Sequence, residues 1–167
     1  MLTLTVFTFR LDFDEDRIRL LAASEDGRQR LAFWLTRRMT DNLLRNSQHW
    51  LTQQYAAAVN VPSHAQGDLY ELYHDQARES FEQQQAMTRS KPVEQVEHTE
   101  LLRRLDIQKG EDDQLKLLFF SGEEVDACSL MTVDYFHQWL HVLQQKSEEM
   151  GWSLTPPAVP QGSYSLQ

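Results

Sequence analysis

Two histidines four residues apart, His137 and His141, come nearest to a chemical motif in this 167-residue chain. At that spacing both fall on one face of a helix, beside Asp134, Gln145 and Glu148. Two neutral imidazoles so placed can grip one metal ion, and a carboxylate can complete its shell. The run lacks the glutamate of a His-Glu-x-x-His helix, and no partner motif stands elsewhere. The rest of that face is polar, so the favoured expectation is a solvated helix face with no metal site. His49, His64, His74 and His98 stand singly on expected surface helices or connectors and are read as ordinary.

The other chemical candidates are weaker still. Cys128 is the single cysteine, inside a strand-like run beside Ala127 and Leu130. A thiolate nucleophile needs a neighbouring base or a positive field, and the sequence places neither there, so a buried structural cysteine is expected. There is no Gly-x-Ser-x-Gly elbow, and the six glycines are too scattered to cradle a phosphate. Acidic residues gather in turns (Asp12–Asp16, Glu111–Asp113, Glu123–Asp126), where they serve turn geometry and solubility, and they do not follow calcium-loop spacing. No catalytic residue and no cofactor is expected.

Charge is uneven along the chain. Residues 1–60 carry eight arginines against seven acids, whereas residues 61–167 carry eight basic and eighteen acidic groups, within a net charge of −9. An acidic chain does not suit strong nucleic-acid binding. No apolar run approaches the roughly 18 residues of a membrane span, no signal-peptide pattern opens the chain, and one cysteine fits a reducing compartment. The cytoplasm is the expected location.

These residues are positioned by strands and helices whose periods are readable. Phe7, Phe9, Leu11 and Phe13 alternate with polar residues, as do Ile18, Leu20, Ala22 and Leu31, Phe33, Leu35. Short polar links at Glu15-Asp16 and Ser24–Gly27 make an antiparallel meander. A helix capped by Thr36 or Thr40 follows, with Leu43, Leu44, Trp50, Leu51, Tyr55 and Ala58 on one stripe and a stop at Asn60-Val61-Pro62. A second helix is expected over Asp68–Met87, with Leu69, Leu72, Tyr73, Ala77 and Phe81 inward. After a polar connector, Ser90–Thr99, three strands are expected at Leu101–Ile107, Leu115–Phe120 and Val125–Val133, then a helix from Asp134 to Met150 that buries Phe136, Trp139, Leu140 and Leu143.

The expected fold is therefore α+β. It has two antiparallel three-stranded β-meanders, each followed by a helix, and an extra helix between the halves. One domain spans residues 1–152, and 153–167, rich in proline, forms a disordered tail. Leu115–Phe120 is apolar on both faces and is expected to be central and covered twice. The halves share element order, and a duplication and a chance recurrence both fit. The order of three strands, two helices, three strands and a helix resembles the head domains of eukaryotic end-joining scaffold and centriole-assembly proteins. No residue motif accompanies that likeness, and no functional residue is carried across.

Parity places the first meander's polar side chains on its outer face. Pairing Phe13 with Ile18 and Leu20 with Leu31 sets Asp14, Arg17 and Trp34 in one row, Asp12, Arg19 and Ala32 in the next, and Arg10, Leu21 and Arg30 in a third. The plain reading is a solvated, ion-paired face, with Trp34 roofed by the middle helices. The sharper reading is that Arg10, Arg28, Arg30, Arg37 and Arg38, with Trp34, form a patch for an anionic group or a partner. Function is then expected to be binding or assembly, without catalysis, through a protein partner or a second copy as a homodimer. The alternatives are a small enzyme or carrier using the arginines for an anionic ligand, and weak nucleic-acid binding.

Overall fold

A computed structural model describes residues 1–59, 65–85 and 92–154. In chain order the elements are β1 (Leu2–Thr3), β2 (Val6–Asp12), β3 (Arg17–Ala23), β4 (Arg30–Leu35), α1 (Arg37–Val59), α2 (Gln66–Gln85), β5 (Glu100–Leu101), β6 (Arg104–Lys109), β7 (Gln114–Phe120), β8 (Ala127–Thr132) and α3 (Val133–Glu149). The Asn60–Pro62 stop, the expected end of α2 at Met87 and the tail beyond Leu154 lie outside the described residues.

The expected pair of three-stranded meanders is corrected to two four-stranded mixed sheets, ordered β2-β3-β4-β5 and β1-β8-β7-β6. Each meander forms, and each gains a two-residue strand that pairs in parallel with its last member: β5 on β4 and β1 on β8. The exchange is reciprocal. The short strand preceding each meander joins the other meander's sheet. Leu4 and Leu102, which follow the two short strands, are both fully buried, and their amides donate to Cys128 O at 2.8 Å and Trp34 O at 3.0 Å. Two residues are too few to show any alternation, so the sequence pattern did not reveal these strands.

Both hairpins of the first meander are shifted by two residues from the expected register. Leu11, not Phe13, faces Ile18, and Phe33, not Leu31, faces Leu20. The first link is a four-residue turn in which Asp16 takes a positive φ of 51° and Asp12 Oδ1 accepts the Glu15 amide at 3.0 Å. Asp and Asn tolerate that conformation and supply that bond, which is why the turn opens wider than a two-residue loop. A shift of two preserves parity, so the inward set is unchanged, but Phe13 is left 67% exposed in the turn.

The sheets meet through aromatic rings. Phe119 stacks on Phe33 (centroids 5.7 Å apart) and on Phe7 (6.0 Å), while Trp139 of α3 packs edge-on against Phe7 and Phe9. Leu43, Leu44 and Leu51 of α1 and Phe136, Leu140 and Leu143 of α3 complete this core. Thr36 caps α1 by accepting the Met39 amide, and Thr132 caps α3 by accepting that of Tyr135. Gly151, at φ 74°, follows the last turn of α3.

Coverage of the sheets inverts the expected order. The strand buried on both faces is β3, not β7: Leu20, Leu21, Ala22 and Ala23 are all inaccessible. The roof is the connector at 92–99, where Val93 and Val96 pack on Leu21, Ala23 and Ala32. Thr8 Oγ1 accepts the Val93 amide at 3.1 Å, and Arg19 donates to Val96 O at 2.7 Å and to Thr99 Oγ1 at 2.8 Å. Among the described residues, what lies over Trp34, where the middle helices were expected, is the Arg19 guanidinium, 5.7 Å from the ring centroid.

Candidate functional site

Three helices converge on a cluster of imidazoles and phenols. α1 brings Tyr55, α2 brings Tyr70, Tyr73 and His74 at i, i+3 and i+4, and α3 brings His137 and His141. At its centre is His137, fully inaccessible to solvent. Its Nε2 bonds the Tyr55 hydroxyl, and its Nδ1 faces His74 Nδ1 at 2.7 Å. Tyr55 stacks on Tyr73 with centroids 4.5 Å apart and lies parallel to His137 at 5.8 Å. Tyr70 stacks on His74 at 5.6 Å. The His74 ring lies 4.9 Å from that of His137 and 5.9 Å from that of His141.

Burial decides the charge state of this cluster. Desolvation, with a smaller contribution from His74, pushes His137 down to about 3, so its imidazole is neutral. Desolvation also raises Tyr70 to about 12 and raises Tyr55, where Tyr70, Asp134 and Tyr73 add to the effect. Both phenols therefore keep their protons. With a neutral His137, one proton lies between the two Nδ1 atoms, and the Tyr55 hydroxyl donates or accepts according to which nitrogen of His137 is protonated.

The expected solvated face on α3 is thus corrected: its His137 side is covered by α1 and α2. His74, read as an ordinary surface histidine, is the residue that meets it. Of the expected inward stripe of α2, Tyr73 packs on Tyr55, Leu72 is instead 54% exposed, and the side chains of Leu69, Ala77 and Phe81 lie outside the described residues; Tyr70, not expected inward, is buried. Tyr70, Tyr73 and His74 share one helical face, and that spacing was the available signal. Among the described residues, no group of three or more His, Cys, Asp or Glu is arranged to hold a metal ion as the rings stand. Cys128 is buried in β8, its Sγ 3.7 Å from Thr3 Oγ1.

The arginines do not gather in one place. Arg10 pairs across β2 and β3 with Arg19 and is exposed. Arg28 has an acid neighbour, Asp26 Oδ2 at 3.7 Å, in the β3–β4 turn; the Asp26 carboxyl is lowered by the Ser24 hydroxyl and the Arg28 amide. Arg30 donates to Gly27 O at 3.0 Å and reaches the connector at Gln95 O. Arg37 and Arg38 are exposed at the start of α1, at the opposite end of β4, roughly 20 Å away by strand rise. Trp34 is half-buried against Arg19.

The outer face of the second sheet is less covered than that of the first. Leu130 is 51% exposed there, and the register sets it across from Lys116, beside Leu118, which is partly buried. Phe120 on the same face is shielded by the Arg104 guanidinium, 3.7 Å from its centroid. No helix among the described residues is long and apolar enough to cross a membrane. Compared with known proteins, the chain matches no family model, no curated protein and no solved structure.

Proposed function

We propose that this chain is a non-enzymatic binding or assembly module that self-associates through the outer face of the β1-β8-β7-β6 sheet. The observation that supports this reading is Leu130, half-exposed beside Leu118 on a face whose counterpart in the other sheet is covered by the chain's own connector. An apolar strip rimmed by Lys116, Asp106 and Gln108 has the apolar centre and polar rim of a protein contact. Light scattering across a hundredfold concentration range is expected to show a dimer that Leu130→Glu converts to monomer. A strict monomer at every concentration sinks the reading.

A second reading keeps part of the arginine patch. Arg37 and Arg38 stand exposed in the first turn of α1, which contains no acidic residue, and the amides of a helix start favour anions. A small phosphate or carboxylate compound is the ligand expected of it. Titration with inorganic phosphate, compared between the native chain and Arg37→Ala/Arg38→Ala, tests it; identical curves reject it.

A further inference from the structure

We propose that the occupant of the apolar strip on the second sheet is the β2–β3 turn of a second copy, anchored by Phe13, with Asp14 and Glu15 facing Lys116. The inference rests on the self-association reading and names the two surfaces that meet. Phe13 is 67% exposed and Leu130 51%, so the fold leaves both large apolar side chains in water. Buried aromatic rings are frequent anchors of protein contacts, and Phe13 has no apolar surface of its own copy to fill.

The turn holds Phe13 out on a fixed support. Asp12 Oδ1 accepts the Glu15 amide at 3.0 Å, and Asp16 Oδ1 accepts the indole N–H of the buried Trp152 at 2.7 Å. A turn braced in this way loses little freedom when it docks. Asp14 and Glu15 beside the ring are exposed, and among the described residues neither carboxylate has a basic partner.

The strip offers the complement. Lys116 lies across from Leu130 and two residues from Leu118 on the same face, and among the described residues it has no acidic partner. Packing the strip on its own image would gather two Lys116 ammonium groups, a like-charge contact. Asp106 on that face is already engaged by Arg104 at 3.3 Å. An acidic turn carrying one aromatic ring satisfies both features, with the ring over the leucines and the carboxylates beside the ammonium group. In a two-fold dimer the contact occurs twice, each turn seated on the other copy's strip.

The test measures association of the full chain by analytical ultracentrifugation. Phe13→Ser and Lys116→Glu are each expected to raise the dissociation constant about tenfold or more. Adding Asp14→Lys and Glu15→Lys to Lys116→Glu in one chain is expected to restore it. All these side chains except Lys116 are exposed, and circular dichroism verifies that each variant keeps the fold. Mixing Phe13→Ser with Leu130→Glu is expected to give a heterodimer tighter than either homodimer, because one intact turn then meets one intact strip. A native chain that stays monomeric overturns the self-association reading and this inference with it. A native dimer broken by Leu130→Glu but unchanged by Phe13→Ser overturns this inference alone, as does a mixture that associates no better than its components.

Discussion

Arg19 is the residue on which the connector hangs, and removing its guanidinium tests the roof over the first sheet. Arg19→Met keeps most of the aliphatic stem across Trp34 but loses the bonds to Val96 O (2.7 Å) and Thr99 Oγ1 (2.8 Å). A hydrogen bond from a charged donor contributes about 1.5–3 kcal/mol, and the two share one side chain that is only part-buried. Their combined loss, eased by water reaching the freed carbonyl, is expected to cost about 2–3 kcal/mol. For a domain of this size that lowers the melting temperature by roughly 5–10 °C. Arg19→Lys should recover less than half, because an ammonium cannot reproduce the two-point fork. Arg10→Met, one strand away and exposed, should stay within about 0.5 kcal/mol. Hydrogen exchange localises the effect: the Val93 amide, bonded to Thr8 Oγ1, should lose protection in Arg19→Met while β7 amides do not. If the melting temperature of Arg19→Met matches the native value and the Val93 amide stays protected, the connector is not held by Arg19 and the account of the roof is wrong.

Three further outcomes follow from the same geometry. His137 is held at about 3 in the folded chain against 6.5 when unfolded, so between those values only the unfolded chain takes the proton. Its stabilising effect is complete above pH 6.5 and is lost as the pH falls toward 3; urea titrations should show about 2 kcal/mol lost between pH 7 and pH 5. His137→Gln should lose markedly less over that interval, and equal losses would contradict the neutral buried imidazole. Trp152→Phe preserves a buried ring but deletes the 2.7 Å bond to Asp16 Oδ1, which should cost about 1–2 kcal/mol in a thermal melt. Gly27→Ala should cost about 1 kcal/mol although its Cβ meets nothing within 4 Å, because the position sits at φ 67°; Gly27→Asn should cost less, and equal melts for the two would locate the effect elsewhere.

Legibility in the sequence followed the physics of each signal. Inward and outward parity of β2, β3 and β4 was readable because burial imposes a strict period of two, whereas register depended on the β2–β3 turn, whose widening hangs on one Asp16 backbone angle. The start of α1 was readable to within one turn, at Thr36 or Thr40, because capping is local, and Thr36 is the cap. The roof was not, since Val93 and Val96 are isolated apolar residues in a polar segment and acquire meaning only over Leu21 and Ala32. The histidine cluster was half visible. Spacing put His137 and His141 on one face, but only the packing of α2 on α3 brings His74 to them, and no local pattern encodes which helix covers which.

The reciprocal strand exchange has a consequence for the order in which this protein can fold. Leu4 bonds Cys128 O, so the opening residues close a loop of more than a hundred residues before they find their partner. Closing such loops precedes any reward from the contact, which slows the folding of high-contact-order chains. During synthesis β2, β3 and β4 can pair as soon as they emerge, but their sheet gains its fourth strand only when β5 follows, and β1 waits until β8 has left the ribosome. The nascent first half therefore presents an unfilled edge on β4 and a loose leading strand. Both invite pairing with a neighbouring copy of the same chain on a polysome, an assembly route set by timing and not by the finished surface.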